Sequence, residues 1–452
     1  MRIIVVGCGK IGRTLVQSLS SEGHDVIAMD SNKAIIDNIT NTYDVSGING
    51  LATDWEALSE ANVGKSDIFV AVTGSDELNM LCCFMAKAMG AKKTIARIRN
   101  PQYNDKNLVR MQQFLNLSMQ INPERSAARY VYNILRLPSA ANVETFSSRN
   151  FEIIELKIKD DMPFLNQPIM DLRKKYDANF LVCCVFRGNK MYIPDGNFVL
   201  QGGDKIGVTA SPQEMNKLMR KLGIMKRHAR NVMIIGASRT AYYLAQMLTQ
   251  SGTAVTIIEK SKARCDEYSQ ILPNVTVLHG DGASQDLLSN YGIATTDAFV
   301  SLTGMDEENI LLSYYALSQN VNKVVTKINR PEFIPIAENL GLESIVSPWK
   351  TVSDIMVRYA RAMQNSEGSN VERLYNVMGG KAEVLEFKIS DEFKYINIPL
   401  KDIKFKSNVL IAGILRDRKA IIPSGDDYIL PGDNVIVTAA GHRLYGISDI
   451  IQ

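Results

Sequence analysis

Three glycines in the run Val6-Gly7-Cys8-Gly9-Lys10-Ile11-Gly12 have the spacing of a loop that holds a pyrophosphate between a strand and a helix. At such a loop Gly7 makes the tight turn and Gly9 leaves the backbone bare for the phosphates. Gly12 lets the helix pack against the strand, and the free N–H groups and dipole of that helix attract the negative charge. Asp30 stands eighteen residues after Gly12 and closes the apolar run Val26-Ile27-Ala28-Met29. A carboxylate at that place can accept both ribose hydroxyls, and its charge would repel a 2′-phosphate, so NAD(H) is favoured over NADP(H). A glycine loop kept for packing alone is the competing reading.

The same constellation returns further along the chain, which is the mark of an internal repeat. Gly236-Ala237-Ser238-Arg239-Thr240-Ala241 follows the first loop at a distance of 229 residues, and Glu259 follows Asp30 at the same distance. Thr73-Gly74-Ser75-Asp76-Glu77-Leu78-Asn79 is matched 230 residues on by Thr303-Gly304-Met305-Asp306-Glu307-Glu308-Asn309, and Arg97 is matched by Lys327 at that offset. The copies are not identical. Ser238 and Ala241 replace the second and third glycines, so a side chain stands where the pyrophosphate would lie. Arg239 could meet phosphate directly, and Gly280-Asp281-Gly282 is a glycine turn where the first copy has Gly50-Leu51-Ala52. The two sites are therefore expected to differ, the first being the more orthodox.

Thr73 and Thr303 open Thr-Gly-x-Asp, which fits a helix capping box with aspartate in the place of glutamate. The same residues would equally border the second half of a nucleotide, at the crevice where strand order reverses. Arg97 and Lys327, at the ends of the fifth strands, would either neutralise phosphate or pair with Asp76 and Asp306.

Within each copy, short apolar strands alternate with helical stretches of ten to fifteen residues, as in βαβ units around a parallel sheet. The glycine loop then follows strand one, Asp30 or Glu259 ends strand two, and Thr73 or Thr303 ends strand four. After the helical stretch Pro123–Leu137 comes Phe151–Ala210, rich in β-branched residues with turns at Arg187-Gly188-Asn189-Lys190, Pro194-Asp195-Gly196 and Gly202-Gly203-Asp204. After the helical Pro348–Met363 and the loop Asn365–Asn370 comes Ala382–Ala439, with equivalent turns at Arg416–Lys419, Pro423–Gly425 and Pro431–Asp433. A three- to four-strand meander is expected in each. The fold class is thus α/β, with two Rossmann-like parallel-sheet domains, each followed by a small α+β domain. The expected boundaries are 1–120, a connecting helix 121–145, and 146–225 in the first half. In the second half they are 229–347, a connecting helix 348–372, and 373–452.

Composition narrows the function further. In 452 residues, 46% hydrophobic and 22% charged, the balance is that of an ordinary globular chain long enough for three or four cores. A net charge of +3 makes no case for nucleic acid. The basic clusters Lys217–Arg220–Lys221 and Lys226–Arg227–His228–Arg230 are read as a solvated helix end and a linker. No segment approaches the ~20 uninterrupted apolar residues of a membrane span, and the start lacks a signal-peptide core, so a cytosolic protein is expected. Cys8, Cys82, Cys83, Cys183, Cys184 and Cys265 have neither metal nor disulfide spacing and read as buried thiols, with Cys8 the one candidate for reactivity.

A dehydrogenase needs a proton-transfer group beside its nicotinamide. The four histidines, His24, His228, His279 and His442, form no paired constellation, and there is no Ser/His/Asp order, His-Glu-x-x-His or Walker loop. Neither a catalytic residue nor a metal site is expected. A binding and switching role is favoured, with a soluble NAD-dependent oxidoreductase as the alternative.

The runs around Gly7–Gly12, Asp30, Thr73–Asn79 and Arg97–Pro101 resemble the nucleotide half of a domain regulating potassium conductance (RCK). The large–small–large–small order over the whole chain resembles the TrkA family of Trk potassium-uptake systems. That resemblance implies a homo-oligomeric ring, peripheral on the cytoplasmic face of the membrane beneath a potassium-translocating subunit. NAD(H) and ATP or ADP would gate it. Carried over by position, the nucleotide residues are Gly7, Cys8, Gly9, Lys10, Ile11, Asp30, Thr73, Gly74 and Arg97. In the second copy they are Gly236, Ala237, Ser238, Arg239, Thr240, Glu259 and Asp281. The small segments resemble the C-terminal RCK domain, and no ligand follows from their residues.

Overall fold

The computed structural model describes the chain apart from residues 102, 104, 137–141, 146–150, 161, 163, 164, 224–228, 366–370, 379, 380 and 418. Five short apolar runs in the first copy form strands β1 (Arg2–Val6), β2 (Asp25–Asp30), β3 (Ser46–Asn49), β4 (Ile68–Ala71) and β5 (Lys93–Arg97), joined by the edge strand β6 (Met119–Ile121). All pair in parallel in the order β3-β2-β1-β4-β5-β6. Every residue of β4 is buried, as expected of a central strand covered by helices on both faces. Strand order reverses between β1 and β4. Their following helices, Lys10–Ser21 and Asp76–Ala88, therefore leave to opposite faces and open a crevice at the carboxyl ends.

The first small domain holds β7 (Asn142–Thr145), β8 (Glu152–Lys157), β9 (Phe180–Arg187), β10 (Lys190–Tyr192) and β11 (Lys205–Ala210). The expected meander is corrected to a five-stranded sheet ordered β10-β9-β11-β8-β7. β11 pairs antiparallel with both β8 and β9 and so lies between them. The helix Ile169–Tyr176 between β8 and β9 provides the crossover that two parallel strands require. Arg187 holds the insertion in place, its Nε and Nη2 both donating at 2.8 Å to the buried Asp204 carboxylate.

The second half repeats the plan. β12 (Asn231–Ile235), β13 (Ala254–Glu259), β14 (Thr276–His279), β15 (Ala298–Ser301), β16 (Lys323–Lys327) and β17 (Ile345–Val346) pair in the order β14-β13-β12-β15-β16-β17. β18 (Val371–Val377), β19 (Ala382–Lys388), β20 (Val409–Arg416), β21 (Lys419–Ile421) and β22 (Asn434–Ala439) pair in the order β18-β19-β22-β20-β21. Arg416 grips Asp433 as Arg187 grips Asp204.

The halves are interleaved. The connecting helix Pro123–Arg136 buries Ala127, Val131 and Ile134 in the core of the second parallel-sheet domain, against the helix Arg239–Gln250. The connecting helix Pro348–Asn365 returns the exchange, burying Val352, Met356 and Ala360 against the helix Lys10–Ser21. The two small sheets also share a core, with Phe151, Ile153 and Cys184 on one side and Val384, Ala412 and Ile436 on the other. Gly413 makes this approach possible, because a Cβ there would lie 2.2 Å from the Phe151 ring.

Candidate functional site

The first glycine loop shows three different uses of glycine. Gly7 has φ +85°, and a Cβ on it would lie 2.7 Å from the Thr73 backbone nitrogen. A Cβ on Gly12 would lie 2.0 Å from the Gly7 carbonyl oxygen, so the helix can start this close to the strand only without one. Gly9 has nothing within 4 Å of its Cβ direction. Its bare face opens beside the first N–H groups of the helix Lys10–Ser21, which is the cradle a pyrophosphate needs.

Asp30 ends β2 beside this loop. Its Oδ2 accepts the Cys8 N–H at 2.7 Å and its Oδ1 accepts the Asn32 N–H at 2.9 Å. Both oxygens are fixed by backbone, and each keeps a lone pair for a hydroxyl. Cys8, the one thiol candidate for reactivity, lies in this loop. Its thiol is buried, and burial together with the Asp30 charge pushes it up to about 12.

Across the crevice, Thr73 does not cap the following helix, so that half of the expected capping box is corrected. Ser75 is the cap, its Oγ accepting the Leu78 N–H at 3.2 Å, while in the second copy Met305 stands there with no side-chain cap. The Thr73 N–H and hydroxyl both donate to Asn79 Oδ1 at 2.7 Å, and Asn79 Nδ2 donates to the Arg97 carbonyl at 2.9 Å. Asn79 thus ties the end of β4 to the end of β5. The repeated Asn79 and Asn309 were visible in the sequence, but the spacing alone gave them no role.

Arg97 does not pair with Asp76. Its Nη2 donates to the Thr73 carbonyl, its Nε is buried without a hydrogen-bond partner, and burial pushes its guanidinium down to about 10. Asp76 instead accepts the N–H groups of Arg99 and Asn100, both at 2.8 Å, and the Arg99 Nε at 3.2 Å.

The second site is built from the same contacts. Glu259 accepts the Ala237 and Ser261 N–H groups, both at 2.7 Å, and Asn309 joins Thr303 to the Lys327 carbonyl. Lys327 is half-buried, and desolvation pushes its ammonium down, with Nζ 3.4 Å from the Leu302 carbonyl. The loop itself differs. Ser238 caps the helix Arg239–Gln250, with Oγ 3.4 Å from the Ala241 nitrogen, and its carbonyl accepts the Tyr268 hydroxyl at 2.8 Å. Asp281 accepts the Ala283 N–H at 3.0 Å and lies 3.4 Å from Lys260 Nζ.

A cavity of about 530 Å³ opens at this second loop, lined by Ala237, Ser238, Arg239, Thr240, Arg264 and Lys327. Lys10 and Trp349 close it from the first glycine loop and the connecting helix, with Lys10 Nζ 5.1 Å from the Trp349 ring centroid. Lys10, expected at the first site, therefore also borders the second.

None of the remaining candidates lines the cavity. His24 is buried near Glu22, while His279 and His442 face the carbonyls of Lys260 and Ser407 at 3.1 and 2.9 Å. Lys217 and Lys221 pair with Asp177, whereas His228 and most of the second basic cluster lie outside the described residues. Among the described residues there is no cluster of His, Cys, Asp and Glu that could hold a metal, and no helix long and apolar enough to cross a membrane.

Comparison with known proteins finds two alternating kinds of domain, each present twice. The TrkA-N domain model matches residues 3–113 and 232–348, and the TrkA-C domain model matches residues 153–223 and 384–451. Trk system potassium uptake protein TrkA homolog 1 of Methanosarcina mazei is 31% identical over 446 residues, covering 97% of each chain. Trk system potassium uptake protein TrkA of Vibrio alginolyticus is 27% identical over 457 residues, covering 100% of this chain and 98% of its own. Among solved structures, the GsuK channel bound to NAD superposes with a TM-score of 0.64 at 17% identity, covering 97% of this chain and 77% of that one. The GsuK RCK domain superposes with a TM-score of 0.63 at 18% identity, covering 97% of this chain and 92% of that one.

Proposed function

This chain belongs to the TrkA family of Trk potassium-uptake proteins, and from that premise we propose that it is the nucleotide-gated regulatory subunit of such a system. The observation that carries the nucleotide part is the twice-built loop, in which Gly9 leaves an open phosphate face and Asp30 or Glu259 is held ready by two backbone N–H groups. NAD(H) suits the first site. When bound, it would place its pyrophosphate at the Lys10–Ser21 helix start and an adenosine ribose on Asp30.

The second site takes a ligand with more phosphate charge, ATP or ADP. Lys10, Arg239, Arg264 and Lys327 bring four cations to its cavity, against the carboxylates of Glu124 and Glu267. NAD and ADP are each named as bound in solved structures with the same fold. The chain acts as a switch and not as an enzyme. Nucleotide in either crevice biases how the interleaved halves sit, and a membrane potassium-translocating subunit reads that bias from the cytoplasmic face.

The chain also assembles with copies of itself. Leu81 and Phe84 on the helix Asp76–Ala88, and their counterparts Leu311 and Tyr314 on Asp306–Ser318, are exposed apolar side chains at matching places in both halves. Leu81→Glu with Leu311→Glu lowers the mass of the assembly seen by light scattering if these faces join copies.

Calorimetric titration tests the sites. Gly9→Asp is expected to abolish NADH binding and spare ADP, and Ser238→Asp the reverse; equal losses in both variants refute two different sites. Capture from membranes, with and without NADH and ATP, tests the partner. Retention of no potassium-uptake membrane protein under any condition refutes the regulatory reading.

A further inference from the structure

The helix Lys10–Ser21 carries the first glycine loop at one end and Glu22 at the other. Its 12 residues make a rod about 18 Å long. Glu22 does not face water. Its Oε2 accepts the Arg361 Nε at 2.6 Å, and Arg361 Nη1 donates at 2.9 Å to Glu383 on β19. Arg443 Nη2 adds a bond of 3.2 Å to the Ser21 carbonyl and lies 3.9 Å from Glu22 Oε1. The Arg361 side chain is only 5% exposed, so its charge depends on these two carboxylates.

The internal repeat supplies the control. Pro348 follows Pro123 by 225 residues, and Arg361 follows Arg136 by the same number. Arg136 pairs with Glu152, the counterpart of Glu383 on the other small sheet, so one half of the contact is conserved between the copies. The other half is not. The residue 229 after Glu22 is Ser251, whose hydroxyl donates at 2.8 Å to its own helix at the Leu248 carbonyl. The Arg136 side chain is 41% exposed. The second loop helix therefore lacks the ionic tie that the first one has.

We propose that the first nucleotide site alone is coupled to the second small domain, through the ion triad Glu22–Arg361–Glu383 centred on the buried Arg361. A buried arginine cannot be separated from its carboxylates without leaving a charge unpaired, and in the second copy Ser251 offers no such charge at the end of the loop helix. Displacement of the loop helix by ligand thus carries Glu22, Arg361 and β19 together. The second loop helix moves without an equivalent pull on β8. Two like-built sites thereby acquire different outputs. The proposal rests on the nucleotide reading of the first loop.

Amide hydrogen exchange on the full chain, with and without NADH, tests it. In the parent protein NADH is expected to slow exchange in the glycine loop and, by about 5-fold or more, in β19. Arg361→Gln and Glu22→Gln each keep the loop protection and lose the β19 response, and Ser238→Asp keeps both. A β19 response that survives in both triad variants, or that is absent from the parent while its loop is protected, overturns the coupling. Absence of loop protection in the parent overturns the nucleotide reading, and the coupling with it.

Discussion

Gly12 and Ala241 hold the same place in the repeat, yet only at the second is a β-carbon accommodated. At Gly12 it would stand 2.0 Å from the Gly7 carbonyl oxygen. Gly12→Ala is expected to cost about 1–3 kcal/mol through overpacking and to weaken NADH at the first site. A thermal melt and a titration read the two effects, and an unchanged melt would show that the loop relaxes.

His24 gives the residue scale a pH dependence. It is buried with both ring nitrogens lacking a hydrogen-bond partner. Burial, then the amino terminus and Arg361, hold its imidazole below the usual range, against the opposing pull of Glu22; Arg443 is the other charge at Glu22. The folded state keeps His24 neutral while the unfolded chain takes up a proton near pH 6.5. Its contribution is therefore complete above that value and falls as pH drops below it. Glu22 follows at lower pH. Burial alone would raise its carboxyl, but the Arg361 hydrogen bond and charge overcome this and hold it below the usual range. Denaturation midpoints measured from pH 7.5 to 5.5 should fall less steeply in His24→Gln than in the parent.

At the scale of elements, two loops depend on one acid each. Asp76 gathers the N–H groups of Arg99 and Asn100, and Asp306 gathers those of Asn329 and Arg330. Asp76→Ala leaves two backbone donors to find other partners and should cost about 1–3 kcal/mol for each that stays buried. Urea titration reads the loss, and a change below about 0.5 kcal/mol would mean that water replaces the carboxylate. This role was hidden behind a spacing that also suits a capping box. Thr73 and Ser75 are both capping residue types, and the turn of the backbone between them selects Ser75. The meander failed for a similar reason. Turn residues mark hairpins, but they do not say that β11 leaves its neighbour in sequence to lie between β8 and β9.

At the scale of the molecule, each connecting helix completes the core of the other half. Ala127, Val131 and Ile134 join the core of the second parallel-sheet domain, against the helix Arg239–Gln250. A chain of residues 1–223 alone is expected to form a homodimer that restores the exchange between two identical halves, visible by sedimentation. A well-folded monomer would show that the first half covers its own helix. The duplicated chain is in this sense a dimer with its partner fused, and fusion allowed the partners to diverge at Ser238, Ala241 and Ser251.

Sequence alone determined the features that arise from local stereochemistry and from repetition. The glycine loops, the carboxylates closing β2 and β13, the alternation of strand and helix, and the divergence of the second loop are all written within short windows. Only the tertiary structure decided which distant residues meet. The exchange of Pro123–Arg136 and Pro348–Asn365, the insertion of β11, the passage of Lys10 toward the second cavity and the Glu22–Arg361–Glu383 triad all join residues far apart in the chain. An apolar helix face states that it must be covered, and many partners satisfy that demand equally. The choice among them is made by packing of the whole chain, where the buried charge of Arg361 meets its two carboxylates in one arrangement.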